Sequence, residues 1–277
     1  MMRAFWDRAF SHSALLSYRG PIKAKVEQFI GRVGELSMPI DIAYHSAILA
    51  TELMITLTFG LELTEEEIKI ATLIPGFISR KFANVTNEII RMNESSDIYG
   101  YIQQSKSDPK APGFPLPMEA RLAIVGGSVC YFLCTHPKYI AKLREEVTPL
   151  VHFNKFDMMG RYSLLEAVIK ESLRLIPPIS RGAERVTPPG GVMIAGRWIP
   201  GNIIISISYY SMSRGPYACV GQQLAMMEIR ETVARLITSF DMRLADPNYR
   251  TWEDSGRGTF TLELPPLMIK FERICCA

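Results

Sequence analysis

At Pro177-Pro178 the rhythm of the chain changes, and that change limits what the polypeptide can build. Upstream, apolar residues recur at helical spacing; downstream, the period shortens to two. From Ile22 to Leu36, the stripe Ile22, Val26, Phe29, Ile30 and Val33 alternates with Lys23, Lys25, Glu27, Gln28 and Arg32, as in an amphipathic helix. Thr64 with Glu67 makes a capping box for a helix through Ile68, Ile70 and Leu73. Pro137 suits a first helical turn, and Tyr139, Ile140, Leu143 and Val147 then define one helix face. Ser163 with Glu166 makes a second capping box, opening a helix that Pro177-Pro178 must stop.

Beyond the prolines, Val192-Met193-Ile194, Arg197-Trp198-Ile199 and Ile203 to Ser208 are β-rich runs separated by Ala195-Gly196 and Pro200-Gly201, which predicts small hairpins. Helix returns after Gly221, with Met226, Ile229, Val233, Leu236, Ile237 and Phe240 on one stripe. Phe260, Leu262 and Leu264, followed after Pro265-Pro266 by Leu267, Ile269 and Phe271, predict a closing hairpin. The expected fold class is mainly α with a minor β-sheet, in a single domain over residues 1–277 with a polar surface loop at 94–117.

Composition excludes several functions. The 31 Lys+Arg against 28 Asp+Glu leave a net charge of +3 with no basic run interleaved with aromatics, so an electrostatic footprint for nucleic acid is lacking. Five cysteines, Cys130, Cys134, Cys219, Cys275 and Cys276, form neither an even disulfide framework nor a Cys-x-x-Cys pair, which suits a reducing compartment. The opening MMRAFWDRAF is too polar for a signal peptide or anchor. The most apolar window, Ile40 to Gly60, is interrupted by Asp41, His45 and Glu52, costly groups in hydrocarbon; it reads as a buried helix.

The segment Gly215-Pro216-Tyr217-Ala218-Cys219-Val220-Gly221 sets a cysteine at the mouth of a helix. Unpaired N–H groups there stabilise an anion, and a thiolate is what a haem iron takes from its protein. A lone cysteine is also among the most readily buried of residues. From the residues alone both readings stand.

The run from Gly215 through Cys219 and Gly221 to Gln222-Gln223-Leu224-Ala225 resembles the haem-binding loop and following helix of fungal cytochromes P450. Glu171-Ser172-Leu173-Arg174 is similar to the family's Glu-x-x-Arg helix, and Glu184-Arg185-Val186 to the strand whose arginine contacts a haem propionate. Trp6-Asp7-Arg8-Ala9-Phe10 resembles the end of an early helix, on which Arg3 becomes a second propionate arginine. Met118 to Ser128 begins like the long oxygen-binding helix, and His136-Pro137-Lys138 looks like the helix after it.

The resemblance implies an incomplete cytochrome P450-like fold, with haem bound by Cys219 as axial iron ligand and by Arg185 and Arg3. Glu171, Arg174, Gly215 and Gly221 become structural motif residues, the first two as a buried scaffold pair. It implies a monooxygenase inserting oxygen into a small apolar substrate of fungal secondary metabolism, with electrons from an NADPH-cytochrome reductase. Such a chain, without a transmembrane segment of its own, belongs in the cytoplasm or peripherally at the endoplasmic reticulum. The sequence also departs from the family. After Ser128 it passes to Val129-Cys130-Tyr131 where an acidic residue and threonine supply a proton relay. Ser213-Arg214-Gly215 follows Met212 without the family's intervening meander, Tyr217 stands where a basic residue is frequent, and the anchor and first helices would precede Met1. The alternative is therefore a truncated, inactive remnant that binds haem weakly or not at all; a purely structural helical protein is a third reading.

Overall fold

The computed structural model describes residues 7–60, 62, 64, 66–67, 118–152, 163–178, 183–207, 219–249, 252, 254, 256–258 and 262–274. Arg3, Gly215, the loop expected at 94–117, Cys275, Cys276 and the helix expected through Ile68, Ile70 and Leu73 lie outside these residues. Helix dominates: α1 (His12–Glu35), α2 (Ile42–Phe59), α3 (Met118–Thr135), α4 (Lys138–His152), α5 (Ser163–Leu175) and α6 (Gln222–Ser239). The strands are short: β1 (Ile40–Asp41), β2 (Ala183–Val186), β3 (Val192–Ile194), β4 (Arg197–Ile199), β5 (Ile204–Ile207), β6 (Phe240–Leu244), β7 (Arg257–Gly258), β8 (Leu262–Glu263) and β9 (Met268–Arg273). They form one antiparallel sheet in the order β1-β9-β6 and three antiparallel pairs, β2–β5, β3–β4 and β7–β8.

The hub is α6, which packs against α1, α3, α4, α5 and β6. The expected stripe Met226, Ile229, Val233, Leu236 and Ile237 is buried, but so is the opposite side, Glu228, Glu231, Thr232 and Arg235. Phe240, read as the stripe's last member, instead opens β6.

Helix α1 begins ten residues ahead of the expected start at Ile22, and it runs through Pro21. Ser11 accepts from the Ala14 amide at 3.4 Å, and the Tyr18 hydroxyl donates to the Ala9 carbonyl at 3.0 Å. A proline in a helix interior costs about 3 kcal/mol. Burying large side chains such as Tyr18 and Ile22 returns roughly 1.5–3 kcal/mol each, which carries the helix across it.

The apolar window is a buried helix as expected, and each polar interruption has a partner or a boundary. Asp41 caps α2, accepting from the Ala43 amide at 3.1 Å and from the Leu267 amide at 2.9 Å. Glu52 accepts two bonds from Arg32 of α1, at 3.1 and 2.6 Å. His45 meets Tyr44 edge to face at 5.6 Å, and desolvation holds its imidazole below its ordinary pKa. Among the described residues no helix is long and apolar enough to cross a membrane.

Helices α2 and α3 approach through glycine. A Cβ on Gly126 would lie 2.9 Å from the Ser46 Oγ, and one on Gly127 would touch Ala43 and Trp252 at 3.6 Å. Gly126→Leu therefore overfills this seam. It is expected to cost about 1–3 kcal/mol, seen as a lower urea midpoint at unchanged slope.

The Thr64–Glu67 capping box is present: the Thr64 amide donates to Glu67 at 3.0 Å and the Glu67 amide to the Thr64 hydroxyl at 3.4 Å. The side chain of Ser163, and with it the second expected capping box, lies outside the described residues. The amides of Leu164 and Leu165 donate to Glu146 of α4, at 3.1 and 2.9 Å, while Glu166 is engaged by Arg230 and Lys170. A carboxylate from a neighbouring helix satisfies the same orphan donors, and sequence spacing alone is blind to it. The closing hairpin fails. Strand β8 pairs with β7, while β9 pairs with β6 and β1. Trp252 donates to the Pro265 carbonyl at 2.8 Å, pinning the proline turn between them.

Candidate functional site

Cys219 stands one turn ahead of α6. The Gln222 amide donates to its carbonyl at 3.3 Å, and the Ala225 amide to the Gly221 carbonyl at 2.9 Å. Gly221 is the N-cap, and no side chain caps the helix there. The first amides of α6 thus present their partial positive charge toward the cysteine end of the turn. The Cys219 thiol is half-buried and in no disulfide.

The other described cysteines differ in kind. Cys130 and Cys134 lie in the core-facing part of α3, where burial pushes the Cys134 thiol up to about 12 and the Cys130 thiol higher still. Both are neutral packing residues. Among the described cysteines, Cys219 is the one at a helix start with partial access to solvent.

Three side-chain ties hold α6, and sequence reasoning missed them because each spans distant segments. Arg230 bonds Glu166 of α5. Arg235 pairs with Glu231 and reaches Glu27 of α1 at 3.0 Å. Arg144 of α4 donates to the Ile237 carbonyl at 2.9 Å, the Phe240 carbonyl at 3.1 Å and Asp241 at 2.8 Å, closing the far end of the helix. Glu228 is a fourth unanticipated residue, 4 % exposed, its carboxyl pushed up to about 8 by burial.

Glu171 and Arg174 are brought together on one turn of α5 by a two-pronged hydrogen bond at 2.8 and 2.7 Å. That bond holds the Glu171 carboxyl below its ordinary pKa. The expected burial of the pair is corrected, since their side chains are 55% and 47% exposed. The buried face of α5 is Leu165, Ile169, Ser172 and Leu173, and the pair falls outside it; an exposed pair of this spacing contributes little to stability. Arg185 is exposed on β2, opposite Ile205 of β5. Arg185 thus lies on the two-stranded antiparallel pair β2–β5.

This donor set fits a group that asks the protein for a single sulfur. Among the described residues no cluster of three or more His, Cys, Asp or Glu side chains could hold a bare metal ion, whereas haem brings four nitrogen donors of its own and takes one axial ligand such as a Cys thiolate.

Comparison with known proteins bears on the same segments. The profile of the cytochrome P450 family matches residues 127–217, from α3 to two residues before Cys219. The chain is 27% identical to the cytochrome P450 monooxygenase orf5 of Eupenicillium brefeldianum over 98% of its own length and 72% of that protein's. That alignment runs over 356 positions against 277 residues, so it contains gaps on this chain's side. Identity is 32% to the cytochrome P450 monooxygenase phqL of Penicillium fellutanum, over 56% of this chain but only 36% of that protein's length. It is 25% to the trichothecene C-15 hydroxylase of Fusarium sporotrichioides, over 94% of this chain and 72% of that protein. The family profile over residues 127–217 and relatives aligned along nearly the whole chain support its being a cytochrome P450 family member.

Proposed function

We propose that the chain is a haem-thiolate monooxygenase-like protein that inserts oxygen into a small apolar substrate in fungal secondary metabolism. The observation that carries this reading is Cys219 at the uncapped start of α6. Its sulfur would hold the haem iron, with the first amides of the helix offsetting the thiolate charge. Haem supplies the iron at which dioxygen is activated. Arg185 offers a guanidinium fork suited to a propionate, and Arg3 is the second such arginine. Glu171 and Arg174, bonded to each other on α5, are the family's Glu-x-x-Arg pair on this reading, and Gly221 is the N-cap of α6. A reductase of the NADPH-cytochrome type delivers electrons. The relatives named as hydroxylases of tryprostatin B and of trichothecenes support small-molecule hydroxylation as the reaction class.

A second reading, a haem binder without turnover, has its own support. From Ser128 to Thr135 the helix α3 carries no acidic residue, and the Thr135 hydroxyl is bonded to the Tyr131 and Phe132 carbonyls, both at 3.1 Å. No acid–hydroxyl relay is available on that stretch to deliver protons.

Haem uptake separates these from a merely structural role. Titrated with haem, the protein is expected to bind one equivalent, with Cys219→Ser weakening uptake at least tenfold and Cys130→Ser leaving it unchanged. Equal uptake by both variants contradicts the reading. Oxygen and NADPH consumption with added reductase then distinguishes enzyme from binder.

A further inference from the structure

Cys219 stands one turn ahead of α6, so the place of its sulfur is set by whatever fixes that helix. Two ties act far from it. Arg144 of α4 closes the C-terminal end by donating to the Ile237 and Phe240 carbonyls, and Arg235 reaches Glu27 of α1. The tie nearest the cysteine is Arg230, which bonds Glu166 of α5. Arg230 lies about three helical turns beyond Cys219, and a helical segment of that length moves as a stiff unit.

This pair differs from the tie that α6 makes to α1. The side chains of Glu166 and Arg230 are only 13% and 15% exposed, whereas Glu27 is half exposed. Arg235 also divides its guanidinium between Glu27 and Glu231 of its own helix. An ion pair shielded from water is screened little by salt, and it confers register more than net stability.

The Glu166 end is itself held. It lies in the first turn of α5, where the leading amides of Leu164 and Leu165 donate to Glu146 of α4 at 3.1 and 2.9 Å. Its second oxygen meets Lys170 at 3.4 Å. Glu146 and Arg144 are close neighbours on α4, so one stretch of α4 holds both the start of α5 and the end of α6. The Glu166–Arg230 pair closes this ring of three helices.

We infer that Glu166 and Arg230 are positioning residues for the Cys219 sulfur. The pair sets how far the front of α6 lies along α5, and with it the height of the sulfur at the helix mouth. Both residues act through the helix. The inference rests on Cys219 as the iron ligand.

Two readouts test it on the full chain. In the haem-free protein, hydrogen exchange of amides 225–229 reports how firmly the front of α6 is held. In the haem-loaded, reduced, carbon monoxide-bound protein, the lifetime of the long-wavelength Soret band reports how firmly the sulfur stays on iron. Arg230→Gln and Glu166→Gln are each expected to speed the exchange and shorten the band lifetime by about tenfold. Arg235→Gln, which loosens α6 at its other tie, should change both by less than about twofold. The double variant Glu166→Gln with Arg230→Gln strands neither charge of the pair, so its urea midpoint should recover toward wild type while the band stays short-lived. Recovery of the band lifetime in step with the midpoint, or an equal effect of Arg235→Gln, makes the pair merely structural and overturns the inference. Unchanged exchange in Arg230→Gln overturns it as well. Faster exchange in Arg230→Gln, together with a wild-type protein that takes up haem without the long-wavelength band, overturns instead the iron-ligand assignment on which the inference rests.

Discussion

Glu228→Gln is expected to remove most of a loss of stability that the wild-type protein shows as pH rises from about 4.5 to about 8. The carboxyl sits on the hub helix α6 at 4 % exposure, and burial alone raises its pKa from 4.5 to about 8. The raised value fixes the sign. Below pH 4.5 folded and unfolded chains both hold the proton, and stability is fully present. Between the two values the unfolded chain releases it while the folded one must keep it, so each pH unit removes up to about 1.4 kcal/mol. Above about 8 the loss is complete, on the order of 5 kcal/mol at most. Glutamine has the same shape without the charge, so urea denaturation across this range should give the variant a much flatter profile and a clear gain at pH 8. Two other groups leave a smaller residual slope. Glu231 is shifted upward by desolvation with Arg235 opposing, and so acts in the same sense. His45 is shifted downward from 6.5, so its contribution is instead lost as pH falls. A variant profile parallel to wild type would show that Glu228 is not the group responsible.

The second large effect lies between α1 and α2. Arg32→Ala is expected to cost about 3 kcal/mol, because it strands the Glu52 carboxylate, whose side chain is only 5% exposed, without its two-pronged donor. The double variant Arg32→Ala with Glu52→Gln should recover at least half of that, since the penalty comes from the uncompensated charge rather than from lost packing. Urea midpoints of the four proteins close the cycle. Equal losses in the single and double variants would mean that packing of the arginine stem dominates.

Glu52 also shows how far the sequence could be read. Its position in the apolar window marked a group too costly for hydrocarbon, and the buried helix followed. What satisfied it could not be seen, because Arg32 lies on another helix. The same divide runs through the molecule. Apolar spacing located α2, α4, α5 and α6, and the Ala195-Gly196 turn located the β3–β4 hairpin, because those signals are local. Contacts between distant segments decided the rest. Glu146 of α4 reaches the first amides of α5, and Trp252 pinned the turn that sends β9 to β6. Helix α6 misled most. Its apolar stripe suggested one wet face, but as the hub it is buried on both sides, which is why Glu228 carried no warning. At the site, the cysteine ahead of a helix was legible from the turn residues before it and Gly221 after it, whereas the exposure of Glu171 and Arg174 depended on which face of α5 its neighbours cover.

The central claim is that the Cys219 sulfur is the iron ligand, and the absorption spectrum of the haem-loaded, dithionite-reduced protein under carbon monoxide tests it most directly. The account predicts the long-wavelength Soret band of thiolate ligation in the wild-type protein and its loss in Cys219→Ser. The same band in both proteins, or a histidine-type band in the wild type with full haem occupancy, would contradict it.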